Sequence, residues 1–281
     1  MERITVRGLA EQKRRGERIA ALTCYDATFA RCLEAAGCEV LLVGDSLGMV
    51  LHGAETPVGV TVADMVYHTR MVAGAARRAL VLADMPFQSY ARPEQALATA
   101  ARLMGEGGAQ AVKLEGGAWL LDTIGQLSTR GIPVCGHLGL MPQSVHRLGG
   151  FRVQGREAAA AAGLLREAEA LEDAGAMLLV LECVPRALAG EVATRLTIPV
   201  IGIGAGAGCD GQVLVLHDLL GLGSFAPRFT RNFLAGPDGT GGGAGGAGGG
   251  AGGAGGIHEA VVAYVRAVKA GEFPGPEHGF D

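Results

Sequence analysis

Apolar positions in this chain gather into short unbroken runs, and stretches of helical periodicity lie between most of them. The runs are RIAALT (18–23), EVLLVGD (39–45), ALVLADMP (79–86), AQAVKLEG (109–116), IPVCGHLG (132–139), AMLLVLECVP (176–185), IPVIGIGAG (198–206) and QVLVLHD (212–218). They are continuous rather than alternating, the pattern of strands covered on both faces. Between them lie amphipathic stretches such as RPEQALATAARLMGEG (92–107) and REAAAAAGLLREAEALEDAG (156–175), each closing on a glycine that stops a helix.

The spacing leaves room for a crossover helix after each strand, so the strands should run parallel. Eight such units predict an α/β chain folded as a single-domain (β/α)8 TIM barrel, with an open doubly wound sheet as the alternative. No G-x-G-x-x-G opens a helix after the first run, which weakens a dinucleotide-binding reading. Gly202, Gly204, Gly206 and Gly208 fit either a tight turn or a close approach of backbone to a phosphate. The 281 residues suit one such domain. The barrel is expected over 1–236 and a Gly/Ala-rich flexible insertion over 237–256. A last helix and tail, 257–281, should return to the same domain. Residues 241–256 are glycine and alanine alone, and such a tract cannot bury a core that offsets its ordering entropy.

Charge and composition narrow the partners. Formal net charge is −4, with no basic excess to neutralise nucleic-acid phosphates. No apolar run reaches the roughly 18 residues of a membrane span, and the opening MERITVRGLAEQKRRGER lacks the apolar core of a secretory signal. The six cysteines include no C-x-x-C pair and several sit in apolar runs, which disfavours a disulfide framework or zinc site and fits the cytoplasm. Small molecules remain as the expected partners, with neither nucleic acid nor membrane.

In a (β/α)8 barrel the chemistry sits at the C-terminal ends of the strands. Those ends carry Asp45 and Ser46, Asp84, Lys113 and Glu115, His137, and Glu182. Charges in an apolar barrel must be paired or bound to a metal. Asp45, Asp84 and Glu115 end neighbouring strands, and strands about 4.8 Å apart let such groups converge on one ion. Oxygen ligands of this kind suit Mg2+. Lys113 and Glu115 are two apart on one strand and point to one face, so the lysine could offset the acidic charge or hold a substrate carboxylate. Glu182 suits general acid–base work. His137 could orient substrate or shuttle a proton, or be a hydrogen-bonded structural histidine. Tyr25 and Asp26 are expected to cap the next helix, and His217 and Asp218 to be structural.

The strings LTCYDATFA, LLVGDSLGMV, VTVADMVYHTRMV, LADMPFQSY, VKLEGG, PVCGHLGLMPQSV, LVLECVP, IPVIGIGAG and FPGPEH, in this order, resemble the ketopantoate hydroxymethyltransferases. The likeness runs from about residue 3 to 235 and resumes at 257. It departs at the Gly/Ala tract and at Cys209. The resemblance implies a (β/α)8 barrel that assembles as a homo-oligomer, commonly a decamer. It implies Mg2+ on Asp45 and Asp84, with Glu115 in the metal shell. Asp45, Ser46, Asp84 and Lys113 would contact the 2-oxo acid, and Glu182 would accept its proton. The implied reaction moves a hydroxymethyl group from the co-substrate 5,10-methylenetetrahydrofolate to 3-methyl-2-oxobutanoate through a Mg-stabilised enolate. A related Mg2+-dependent barrel of the isocitrate lyase and phosphoenolpyruvate mutase type is the competing reading, but its K-K-C-G-H loop is missing from the sequence.

Overall fold

A computed structural model describes residues 2–223, 226–235 and 256–281. Eight parallel strands close into a barrel in sequence order: β1 (Ile19–Thr23), β2 (Val40–Val43), β3 (Leu80–Asp84), β4 (Ala111–Glu115), β5 (Val134–Gly139), β6 (Leu178–Glu182), β7 (Val200–Ile203) and β8 (Gly211–Leu214). β8 pairs back onto β1 with Ala21 beside Val213. The open-sheet alternative is therefore set aside. Every strand falls inside one of the apolar runs or overlaps it, because both faces are covered and each strand residue except Glu182 is buried.

The outer layer differs from expectation at one point. Helices follow β1 to β6, but β7 and β8 are joined by residues 204–210 with no helix between them. Gly204 and Gly206 adopt φ of 60° and 78°, which lets the backbone reverse in this short span. A Cβ on Gly206 would lie 2.6 Å from the Arg186 side chain, and one on Gly208 3.0 Å from the Gly190 backbone. The return loop is thus pressed against the helix Arg186–Arg195, and these glycines serve a turn.

Two terminal elements finish the barrel. The helix Val6–Arg14 covers the end where strands begin. Its Lys13 donates to the carbonyls of Ala193 and Ile198 and pairs with Asp210 at 2.9 Å, just ahead of β7 and β8. The helix Ile257–Ala270 lies over the β8–β1 seam. Its buried Tyr264 hydroxyl reaches the carbonyls of Ala21 and Gln212, at 3.0 Å each. The expected last helix is therefore present and docked. The 237–256 insertion lies outside the described residues, except for Gly256 at its end. No described helix is long and apolar enough to cross a membrane, and all six cysteines are unpaired thiols.

Candidate functional site

Strand register does most of the positioning. Asp84 stands beside Lys113 across β3 and β4, Glu115 beside His137 across β4 and β5, and Gly139 beside Glu182 across β5 and β6. Asp84, Lys113, Glu115, His137 and Glu182, with Asp45 and Ser46 from the loop after β2, line one cavity of about 370 Å³ at the strand C-termini. The structure thus brings together all seven residues expected from the sequence.

Asp45 and Ser46 can reach inward because Gly44 precedes them. A Cβ at Gly44 would sit 2.7 Å from the Ser46 hydroxyl and 3.5 Å from the Asp84 carboxylate. The Asp45 amide donates to Asp84 Oδ2 at 3.1 Å. The other oxygen of Asp84 takes the Lys113 ammonium at 2.5 Å. Lys113 also lies 4.0 Å from Glu115 Oε1. Burial works against the charged lysine, yet Asp84, Glu115 and Asp45 together outweigh it and hold the ammonium above its ordinary range. The opposite holds for Asp45. Burial, then the charges of Asp84 and Glu115, push its carboxyl well above the usual carboxylate range.

His137 is wedged between two carboxylates. Its Nδ1 is 3.4 Å from Glu115 Oε1 and its Nε2 3.4 Å from Glu182 Oε2. Neither nitrogen makes an aligned hydrogen bond, so these are close charge contacts rather than finished bonds. Burial and Lys113 pull the imidazole down, but Glu115 and Glu182 prevail and raise it to about 9. Glu115 is held low in return: burial opposes this, and His137 and Lys113 overcome it. Glu182 is the least enclosed of the acidic set, with 14% of its side chain exposed against 2% for Glu115. Gly139 permits its placement. At φ 91°, a Cβ there would come within 2.2 Å of the Glu182 carbonyl.

Several contributors were not anticipated. Gln143, fully enclosed in the loop after β5, donates its amide to Asp45 Oδ2 at 2.8 Å and to the Met85 carbonyl at 3.0 Å. Its backbone N–H donates to Glu115 Oε2 at 3.0 Å, and its side-chain Oε1 accepts from the Tyr90 hydroxyl at 2.5 Å. A polar residue right after the Leu-Met-Pro of the fifth loop was the only signal. Tyr25 does not cap a helix. Its hydroxyl meets the Ser46 hydroxyl at 3.0 Å, whereas Asp26 alone caps, accepting from the Thr28 and Phe29 amides. β8 ends at Leu214, so His217 and Asp218 belong to the short helix Leu216–Leu219. His217 packs on Tyr25, ring centroids 5.7 Å apart. Asp218 faces the cavity.

Among the described residues no three His, Cys, Asp or Glu side chains form a ready-made metal cluster. The donor set nevertheless fits a hard divalent cation at Asp45 and Asp84: two buried carboxylates, of which Asp45 is held above its ordinary range by burial first and then by the charges of Asp84 and Glu115. Both Glu115 oxygens face protein groups, Gln143 N–H on one side and His137 on the other.

Comparison with known proteins adds an independent line. A family profile described as ketopantoate hydroxymethyltransferase matches residues 3–244. A protein from Halorhodospira halophila named 3-methyl-2-oxobutanoate hydroxymethyltransferase is 57% identical over 99% of this chain and 95% of its own. One of the same name from Methylococcus capsulatus is 54% identical over 99% and 97%. Among solved structures, phosphonopyruvate hydrolase in complex with oxalate and Mg2+ superposes with a TM-score of 0.59 at 11% identity, covering 78% of this chain and 83% of that one. A 2,3-dimethylmalate lyase of the PEP mutase/isocitrate lyase superfamily gives 0.56 at 18%, over 75% and 78%. At such identities these two share the fold alone.

Proposed function

The chain belongs to the ketopantoate hydroxymethyltransferase family, and from that premise we propose that it transfers a hydroxymethyl group from 5,10-methylenetetrahydrofolate to 3-methyl-2-oxobutanoate. The product would be 2-dehydropantoate, an early intermediate of pantothenate and coenzyme A synthesis. The observation that carries this reading is one cavity lined by an acidic pair at Asp45 and Asp84, a buried cation at Lys113, and Glu182 as its partly open carboxylate.

Mg2+ held by Asp45 and Asp84, with Glu115 in its shell, would stabilise the enolate charge that develops on the keto oxygen as the C3 proton leaves. The chain's own residues do the rest. Ser46, steadied by Tyr25, and Lys113 hold the substrate carboxylate, so that C3 faces Glu182. Glu182 takes the C3 proton, and His137 at 3.4 Å keeps that carboxylate aimed into the cavity. C3 then bonds to the donor's methylene carbon, both C–N bonds of that carbon break, and water supplies the hydroxyl.

The same reading places the enzyme in the cytoplasm as a homo-oligomer, a decamer as in much of the family. Exposed Tyr67, Trp119 and Leu222 are apolar surface that assembly would cover.

The test follows the C3 hydrogen by NMR in deuterated solvent. Wild-type protein with Mg2+ should exchange it without any folate. Glu182→Gln should bind the oxo acid and leave the hydrogen in place; normal exchange in that variant would remove Glu182 from the base role. Tetrahydrofolate-dependent product formation that EDTA abolishes would support the whole reaction, and its absence in wild-type protein would end the reading.

A further inference from the structure

The proposed transfer leaves one role unfilled. C3 gives up a proton to Glu182, and its electron pair forms the new C–C bond. The methylene carbon loses two C–N bonds, and each pair goes to a nitrogen. The water oxygen becomes the product hydroxyl. Each nitrogen must end with one hydrogen, the two together matching the proton lost at C3 and one from water. An amine cannot leave as an anion near neutral pH, so an acid must meet the nitrogen as its bond breaks.

Few cavity-lining groups are free to do this. The Asp45 carboxylate is held by Gln143, Asp84 and Lys113 are paired, and Glu115 is in close charge contact with His137. Arg152, Arg228 and Cys183 line the cavity too, but a guanidinium does not release its proton, and burial pushes the Cys183 thiol up so that it is a poor acid near neutrality. Asp218 remains. It faces the cavity from the turn after β8, and among the described residues its carboxylate has no hydrogen-bond or ion-pair partner. Only β7, whose Ile203 lines the wall, separates it from the strand of Glu182. Strand spacing puts the ends of β6 and β8 roughly 10 Å apart, and the Glu182 and Asp218 side chains line the same cavity.

We propose that Asp218 is the catalytic acid that protonates the leaving nitrogen of the one-carbon donor, an assignment that rests on the reading above. Its surroundings suit the task. Burial, then the charge of Glu182, raise its carboxyl to about 6, so a protonated fraction is at hand near neutrality. The two carboxylates are also linked in the useful direction. When Glu182 takes the C3 proton its charge disappears, and with it the part of the proton's retention on Asp218 that Glu182 adds to burial. The proton becomes easier to give just after the carbanion forms.

The experiment compares Asp218→Asn with wild type in three reactions. Exchange of the C3 hydrogen without folate needs no nitrogen leaving group and should stay within about twofold. Product formation from free formaldehyde, a one-carbon aldehyde with no C–N bond to break, should also survive. Turnover with 5,10-methylenetetrahydrofolate should fall by about 100-fold or more, with Asp218→Glu recovering part of it. Folate-dependent turnover within a few-fold of wild type would overturn the assignment. So would a parallel fall in all three reactions, which marks a structural role. Wild-type protein active with formaldehyde but inactive with the folate would sink the donor reading itself, and the assignment with it.

Discussion

The side-chain amide of Gln143 donates to Asp45 Oδ2 at 2.8 Å, tying together residues 98 positions apart. The same residue's backbone N–H holds Glu115 Oε2 at 3.0 Å. One uncharged residue therefore fixes two of the three acidic groups by which a cation would be held, Asp45 through its side chain and Glu115 through its backbone. Gln143→Leu should strip both Asp45 and the Met85 carbonyl of a donor in a buried setting. A loss of about 1–3 kcal/mol in folding stability is expected, read by chemical denaturation. The Mg2+ concentration for half-maximal C3 exchange should rise at least several-fold. An unchanged metal requirement would show that Asp45 needs no such support.

Lys113 and Asp84 form a deeply enclosed ion pair, with side chains 5% and 4% exposed. Removing one partner from such a pair strands the other charge, at a cost of about 3–5 kcal/mol. Lys113→Met should therefore destabilise strongly. The double variant with Asp84→Asn should be less destabilised than the sum of the two single changes. Additive losses in a denaturation cycle would contradict the pairing.

Asp218 should cost the fold something. Its carboxyl titrates near 6 in the folded protein against an ordinary 3.8. The folded state thus binds this proton more tightly, so its contribution is full below about pH 3.8 and is lost as pH rises through 6. Asp218→Asn should be more stable than wild type at pH 7, by on the order of 1 kcal/mol after allowing for the solvent the group still sees. The gap should close toward pH 4. Thermal melts across that range read it directly, and a gap that widens on acidification would contradict the raised carboxyl.

Tyr264 joins the last helix to both strands of the closing seam, accepting nothing and donating to two carbonyls at 3.0 Å. Tyr264→Phe keeps the ring and removes the hydroxyl. A destabilisation of about 1 kcal/mol is expected, with amide exchange rising first along β1 and β8. Uniform faster exchange around the barrel would mean the hydroxyl does not act locally at the seam.

Much of the fold was legible because a strand covered on both faces must be apolar throughout, and eight such runs stand out whatever surrounds them. Charged residues at the ends of those runs were equally visible, since few positions in an apolar barrel tolerate Asp84, Lys113 or Glu115 without a purpose. Neutral or dual-purpose residues were harder. Gln143 carries no charge and follows a strand by several residues. Tyr25 next to the capping Asp26 looked like part of the same cap.

The sequence by itself determined the eight strands, their parallel sense and which acidic and basic groups would stand at their ends, because burial and periodicity are properties of the chain read one segment at a time. Tertiary structure alone decided that β7 returns to β8 without a helix, that Gln143 reaches Asp45, that Tyr25 meets Ser46, and that Asp218 looks into the cavity. Those relations depend on strand register and on where loops cross the barrel mouth, and distances between residues far apart in the chain are fixed only when the barrel closes.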